Sequence, residues 1–200
     1  TLAAFLFGSP DRMIRLDMSE FQGPESLSRL LGEIDAEAGR NGAALVDRIR
    51  KEPFSVILLD EIEKAHEKIW DLFLQVFDDG RLTDRQGSTA DFRNAIVILT
   101  SNLGAAIPSG ASLGFLDATG RFSSSTVLKT VEKSFRKEFL NRLDRIVVFR
   151  PLARETMRDI LRKELSEAFE RRGLRQRAWA VEFDPGAIDF LLEKGFTADL

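Results

Sequence analysis

The sequence predicts an α/β fold in three layers, a parallel sheet between helices, and two buried-strand patterns with an amphipathic helix between them carry that prediction. Ser55–Leu59 (SVILL) is an unbroken apolar run closed by Asp60 and Glu61, and Ala95–Leu99 (AIVIL) is a second, closed by Thr100, Ser101 and Asn102. Runs without polar alternation suit strands covered on both faces, as parallel sheets require. Between them, Ile69, Leu72, Phe73, Val76 and Phe77 lie 3, 4, 7 and 8 residues apart, the spacing of one helix face.

The remaining elements follow in chain order. Thr1–Phe7 (TLAAFLF) predicts a helix interior stopped by Gly8-Ser9-Pro10. Met13–Leu16 predicts a short strand and Ser26–Leu31 a short helix. Gly32–Ala44 is polar, rich in small residues and aperiodic, a loop; Leu45–Arg50 returns to helix before Pro53. Asp78-Asp79-Gly80 ends the amphipathic helix, and Arg81 and Arg85 beside Asp78, Asp79 and Asp84 read as loop ion pairs. Residues 104–125 carry much Gly, Ser and Ala and predict a mobile connection. Thr126–Leu140 reads as one helix and Arg145–Phe149 (RIVVF) as a further strand. Pro151 marks a boundary, giving a large α/β region over 1–150 and the start of a smaller, mainly helical one over 151–200. There, Arg154–Arg172 predicts a long charged helix, Ala178–Phe183 a strand, and Pro185–Lys194 a last helix with proline in its first turn.

Composition narrows the function classes. The 200 residues are 44% hydrophobic and 30% charged, with a formal net charge of −3, so no broad field attracts nucleic acid or an anionic membrane. Five arginines and one lysine in Arg154–Arg172 are offset by four Glu and one Asp, a solvated face and not a nucleic-acid stripe. No cysteine is present, which removes disulfides and Cys-based metal sites, and a single histidine, His66, makes a poor ligand set. No apolar run approaches the roughly 18 residues of a membrane span, and the expectation is a soluble, cytoplasmic protein.

Ligands of doubly wound sheets sit outside the carboxyl ends of the strands, so the polar residues there carry the chemistry. Asp60 and Glu61 occupy one such end and Asn102 follows the next. Each alone reads more simply as a cap or turn former. Together they suit nucleotide hydrolysis: Mg²⁺ prefers hard oxygen ligands and keeps several waters, one carboxylate can hold it, and the next can orient or deprotonate the attacking water.

Five ordered segments then bear a specific resemblance. Met13–Phe21 (MIRLDMSEF), Ser55–His66 (SVILLDEIEKAH), Leu74–Asn94 (LQVFDDGRLTDRQGSTADFRN), Val97–Gly104 (VILTSNLG) and Phe135–Asp144 (FRKEFLNRLD) resemble the Clp family of AAA+ unfoldases, nearest their second ATPase module. The resemblance implies a AAA+ large subdomain followed by part of the small one, and an ATP-driven protein remodeller. It implies that Asp60 and Glu61 are the Walker B acids, Asp60 at the magnesium shell and Glu61 activating water. It implies that Asn102 is the sensor-1 residue, placed with Asp60 at the nucleotide, and that Arg142 is the arginine finger reaching a neighbouring subunit's ATP. A ring, typically a hexamer, a protein substrate and room for a peptidase partner follow from the same likeness.

Three departures accompany it. No GxxxxGK[ST] occurs in the chain, and the family's sensor-2 arginine would follow beyond Leu200, so the sequence is expected to be a piece of a longer protein, inactive alone. The strand preceding the phosphate loop is expected to be missing from the sheet, leaving neighbouring backbone groups unpaired. Gly32–Ala44 holds no aromatic residue where the family places its substrate-threading pore loop. Two rival readings stand beside the unfoldase: a non-hydrolysing assembly module, and a AAA+ ATPase remodelling one dedicated partner complex.

Overall fold

A computed structural model describes residues 1–31, 45–103, 124–150, 152–170 and 182–195. The chain divides into two compact units, one built from Thr1–Ala106 with Val127–Ile146 and the other from Ile107–Thr126 with Val147–Leu200.

The first unit centres on a parallel sheet of β1 (Met13–Asp17), β2 (Val56–Asp60) and β5 (Ile96–Leu99), in the order β1-β2-β5. Register sets Asp17 beside Asp60 and Leu59 beside Leu99, so the three strands end nearly level. β2 is central, and Val56, Ile57 and Leu59 are buried, as its apolar run requires. The second run, AIVIL, is instead at a margin: Ile96 is exposed and Val97, Ile98 and Leu99 are half-buried. Among the described residues no strand pairs with the outer edge of β5.

Helices flank this sheet. α1 (Leu2–Phe7) is capped by the Thr1 hydroxyl and closed by Gly8 in the left-handed region; α2 (Ser26–Leu30) and α3 (Leu45–Lys51) supply buried Leu30, Val46 and Ile49. α4 (Glu67–Asp79) buries the predicted face, Ile69, Leu72, Phe73 and Val76. His66 is its N-cap: Nδ1 accepts from the Lys68 amide at 3.2 Å, a structural use that matches a lone histidine. Gly80 closes α4 at φ 65°, and a Cβ there would also stand 2.7 Å from the Arg93 stem, so both conformation and space call for glycine.

The sequence did not announce β3 (Arg81–Thr83) and β4 (Thr89–Asp91), a small antiparallel hairpin after α4. Three-residue strands are too short for alternation to register. Asp84 accepts the Gln86 and Ser88 amides at 2.9 and 2.8 Å to form the turn, and Asp78 pairs with Arg142.

The helix expected over 126–140 is two: α5 (Ser124–Ser134) and α6 (Lys137–Leu140), broken where Arg136 is extended. Phe135 and Phe139 meet Trp70 of α4 at 5.0 and 5.8 Å between ring centroids, and Phe139 meets Phe77 at 5.8 Å. Residues 145–149 form no strand; Val147 and Phe149 are largely exposed. A β pattern yields a strand only where a partner edge supplies hydrogen bonds, and none of the described strands pairs with this run.

The second unit contains α7 (Arg154–Phe169) and α8 (Pro185–Gly195). Arg158 joins Asp189 at 2.5 Å, Phe169 packs on Phe183 at 5.9 Å, and Asp184 caps α8 through the Gly186 and Ala187 amides. Residues 182 and 183 are not in a strand. The rest of the strand expected over Ala178–Phe183, the loop over 32–44 and most of the connection over 104–125 lie outside the described residues; Ser124 and Ser125 begin α5.

Candidate active site

Parallel strands that end level bring their following residues to one edge, and here that edge carries Asp17, Asp60, Glu61, Thr100 and Asn102. Thr100 fastens the tips of β2 and β5. Its amide donates to the Leu59 carbonyl at 2.9 Å, and its carbonyl accepts from the Ile62 amide at 3.0 Å. Its hydroxyl donates to Asp60 Oδ1 at 2.5 Å and accepts from the Glu61 amide at 3.2 Å.

That last bond helps hold Glu61 at φ 55°, ψ 51°, the only non-glycine at positive φ among the described residues. Left-handed backbone costs a residue with a Cβ about 1–2 kcal/mol. Here the turn lifts the Glu61 side chain out of the strand direction toward β5. Asn102 Nδ2 donates to Glu61 Oε1 at 2.8 Å, and Lys64 Nζ donates to Oε2 at 2.7 Å. The Asn102 backbone amide donates to Glu63 Oε1 at 2.8 Å, which fixes the residue from a second side.

Asp60 is held differently. Arg15, one β1 residue pair away on the same side, donates to its Oδ2 at 2.5 Å. The Thr100 hydroxyl first, then the Arg15 guanidinium, keep this carboxyl below the usual carboxylate range. Ser19, through its hydroxyl and then its amide, does the same for Asp17. Glu61 chiefly pushes the Lys64 ammonium up. The edge therefore presents ionised Asp60 with a second carboxylate beside it.

No group of three or more His, Cys, Asp or Glu able to hold a metal occurs among the described residues. Asp60 offers one carboxylate already sharing its oxygens with Thr100 and Arg15. Such a donor fits a cation that keeps its waters and takes its remaining ligands from phosphate, the habit of Mg²⁺.

Of the four residues singled out in the sequence, Asp60, Glu61 and Asn102 come together. Arg142 does not. It bonds Asp78 in the last turn of α4 through Nε and, at 3.3 Å, through its terminal nitrogen. About 16 Å of helix, at ~1.5 Å per residue, separates Asp78 from the first residue of α4. Thr100, Arg15, Lys64 and Glu63 were missed. Thr100 follows directly on a strand and Arg15 alternates with Leu16 and Asp17, but only the parallel register shows whom they meet.

Comparison with known proteins gives these observations a setting. Residues 1–146 match the AAA domain (Cdc48 subfamily). Over 98% of its length the chain is 47% identical to the chaperone protein ClpB of Meiothermus ruber and 46% identical to that of Vibrio cholerae, spanning 23% and 22% of those relatives. The S. cerevisiae Hsp104-ADP complex superposes at a TM-score of 0.75 with 37% identity, over 99% of this chain and 34% of that one. A closed-state reconstruction of Hsp104 with ATPγS and FITC casein gives 0.79 at 37% identity with the same coverage.

Proposed function

The chain belongs to the AAA domain family (Cdc48 subfamily), of Clp type, and from that footing we propose that it is an ATPase module of a ring-forming machine that remodels proteins. The convergence of Asp60, Glu61 and Asn102 at one sheet edge carries the reading. In this proposal Asp60, kept ionised by Thr100 and Arg15, faces the hydrated Mg²⁺ of ATP. The ion, when bound, neutralises charge between the phosphates. Glu61 accepts a proton from the attacking water as Lys64 releases its second oxygen, and Asn102 holds Glu61 and the water in line. The phosphate grip comes from outside these 200 residues, which contain no GxxxxGK[ST] loop.

Arg142 is proposed to act on the nucleotide of an adjoining subunit, in a hexamer. Its partner Asp78 lies about 16 Å along α4 from Glu67, which supports a role away from its own site, and its planar, permanent charge suits phosphoryl oxygens. The Hsp104 relatives, in complexes with ADP and with ATPγS and casein, support a nucleotide ligand and a polypeptide substrate. A cytoplasmic setting and a large subdomain ending near residue 150 belong to the same proposal. The aromatic-free sequence of Gly32–Ala44 favours a second reading, an ATPase remodelling one dedicated partner without general threading.

The test is ATP turnover by the full-length protein with and without an unfolded polypeptide. Turnover stimulated by the polypeptide is expected. Absence of any turnover would sink the ATPase reading, and turnover without stimulation would move the choice to the dedicated-partner one.

A further inference from the structure

The arginine contacts of α4 form a pattern. Glu67, Asp71 and Asp78 are 4 and 11 residues apart, which at 3.6 residues per turn places them within about 40° of one another on the helix. Two arginines of the chain that follows α5 use this acidic ridge. Arg136 meets Asp71 at 2.9 Å and Glu67 at 3.4 Å, near the start of the helix. Arg142 meets Asp78 at its end. Between the two arginines, buried Phe139 anchors the segment on Trp70 and Phe77.

The Arg142–Asp78 contact is bidentate, through Nε and one terminal nitrogen. That is the edge of a guanidinium that recognises phosphate, because a carboxylate and a phosphate offer the same pair of oxygens. Both partners are about two-fifths exposed, at 41% and 45%, so the pair is screened by water and readily exchanged. We infer that Asp78 parks Arg142: it occupies the recognition edge of the guanidinium within the subunit, and a phosphoryl group must displace it before Arg142 can act in trans. The inference rests on the proposed trans role of Arg142 and adds a positioning residue to it. The anchored aromatic and the Arg136 contacts stay in place during the exchange, so only the Arg142 side chain has to swing.

The experiment uses the full-length, assembled protein and compares Asp78→Asn, Asp78→Ser, Arg142→Ala and the Asp78→Asn/Arg142→Ala double variant in steady-state ATP turnover. Each Asp78 variant is expected to raise turnover about two- to five-fold, the population shift from removing one exposed ion pair. The rise is itself a readout that a purely stabilising aspartate would not give, since losing such a residue lowers turnover or leaves it unchanged; the double variant should be no more active than Arg142→Ala. Turnover equal to or below wild type in both Asp78 variants, with Arg142→Ala inactive, overturns the parking role alone. Normal turnover in Arg142→Ala overturns the trans role itself, and the parking role with it.

Discussion

Asn102 donates its side-chain amide to Glu61 across 2.8 Å, joining residues that follow two neighbouring parallel strands. If Glu61 is the base, Glu61→Gln keeps an oxygen for Asn102 but cannot take a proton. Turnover by the full-length protein should fall about 10²- to 10⁴-fold, the usual contribution of a general base. Phosphate release is the measurement, and an unchanged rate would remove Glu61 from the chemistry.

Thr100 connects more of this edge than any residue the sequence pointed to. Thr100→Val keeps shape but leaves Asp60 Oδ1 and the Glu61 amide short of a partner. A part-buried group left unsatisfied costs about 1–3 kcal/mol, so urea unfolding should register that loss. Thr100→Ser, which keeps the hydroxyl, should recover most of it.

The backbone of Glu61 makes a separate prediction. Glu61→Ala and Glu61→Gly both delete the carboxylate, yet only alanine retains the penalty at φ 55°. Elsewhere glycine is the less stable of the two; here it should be the more stable by about 1 kcal/mol. Equal stability, or alanine ahead, would mean the left-handed turn is not maintained in solution.

Asp91 reports on the hairpin. Arg93 bonds it through side chain and backbone and lowers its carboxyl from 3.8 to about 2. With the folded value below the unfolded one, this contact stabilises the fold fully above pH 3.8 and loses that contribution as pH falls toward 2. Carboxyl titration followed by NMR should show the low midpoint, and Arg93→Gln should return it upward.

Phe139 is 1% exposed and touches Trp70, Phe77 and Phe135. Phe139→Ala should cost about 3–5 kcal/mol in thermal or urea unfolding, as for other fully buried aromatics. Because Phe139 seats the segment that carries Arg142, turnover in the full-length protein should drop with it.

Much of this arrangement was legible beforehand, and the boundary has physical causes. SVILL and the Ile69–Phe77 face were strong signals because burial imposes a period over many residues, and both elements formed as expected. RIVVF carries the same composition yet forms no strand, since pairing depends on an edge that local sequence does not encode. AIVIL became a strand but a marginal one, for a related reason. Asp60, Glu61 and Asn102 stood out as polar residues closing apolar runs. Arg15, Lys64 and Thr100 did not, because their partners lie 45, 3 and 40 residues away and only the register, or a left-handed turn, makes the introduction.

The flank of β5 that no described strand covers has a practical corollary for anyone handling this polypeptide by itself. A strand edge that no described strand pairs with, beside exposed Ile96, is a template that a second molecule can zip onto. Dilution, or a charged substitution on that flank, should therefore govern whether such a preparation stays clear or turns cloudy.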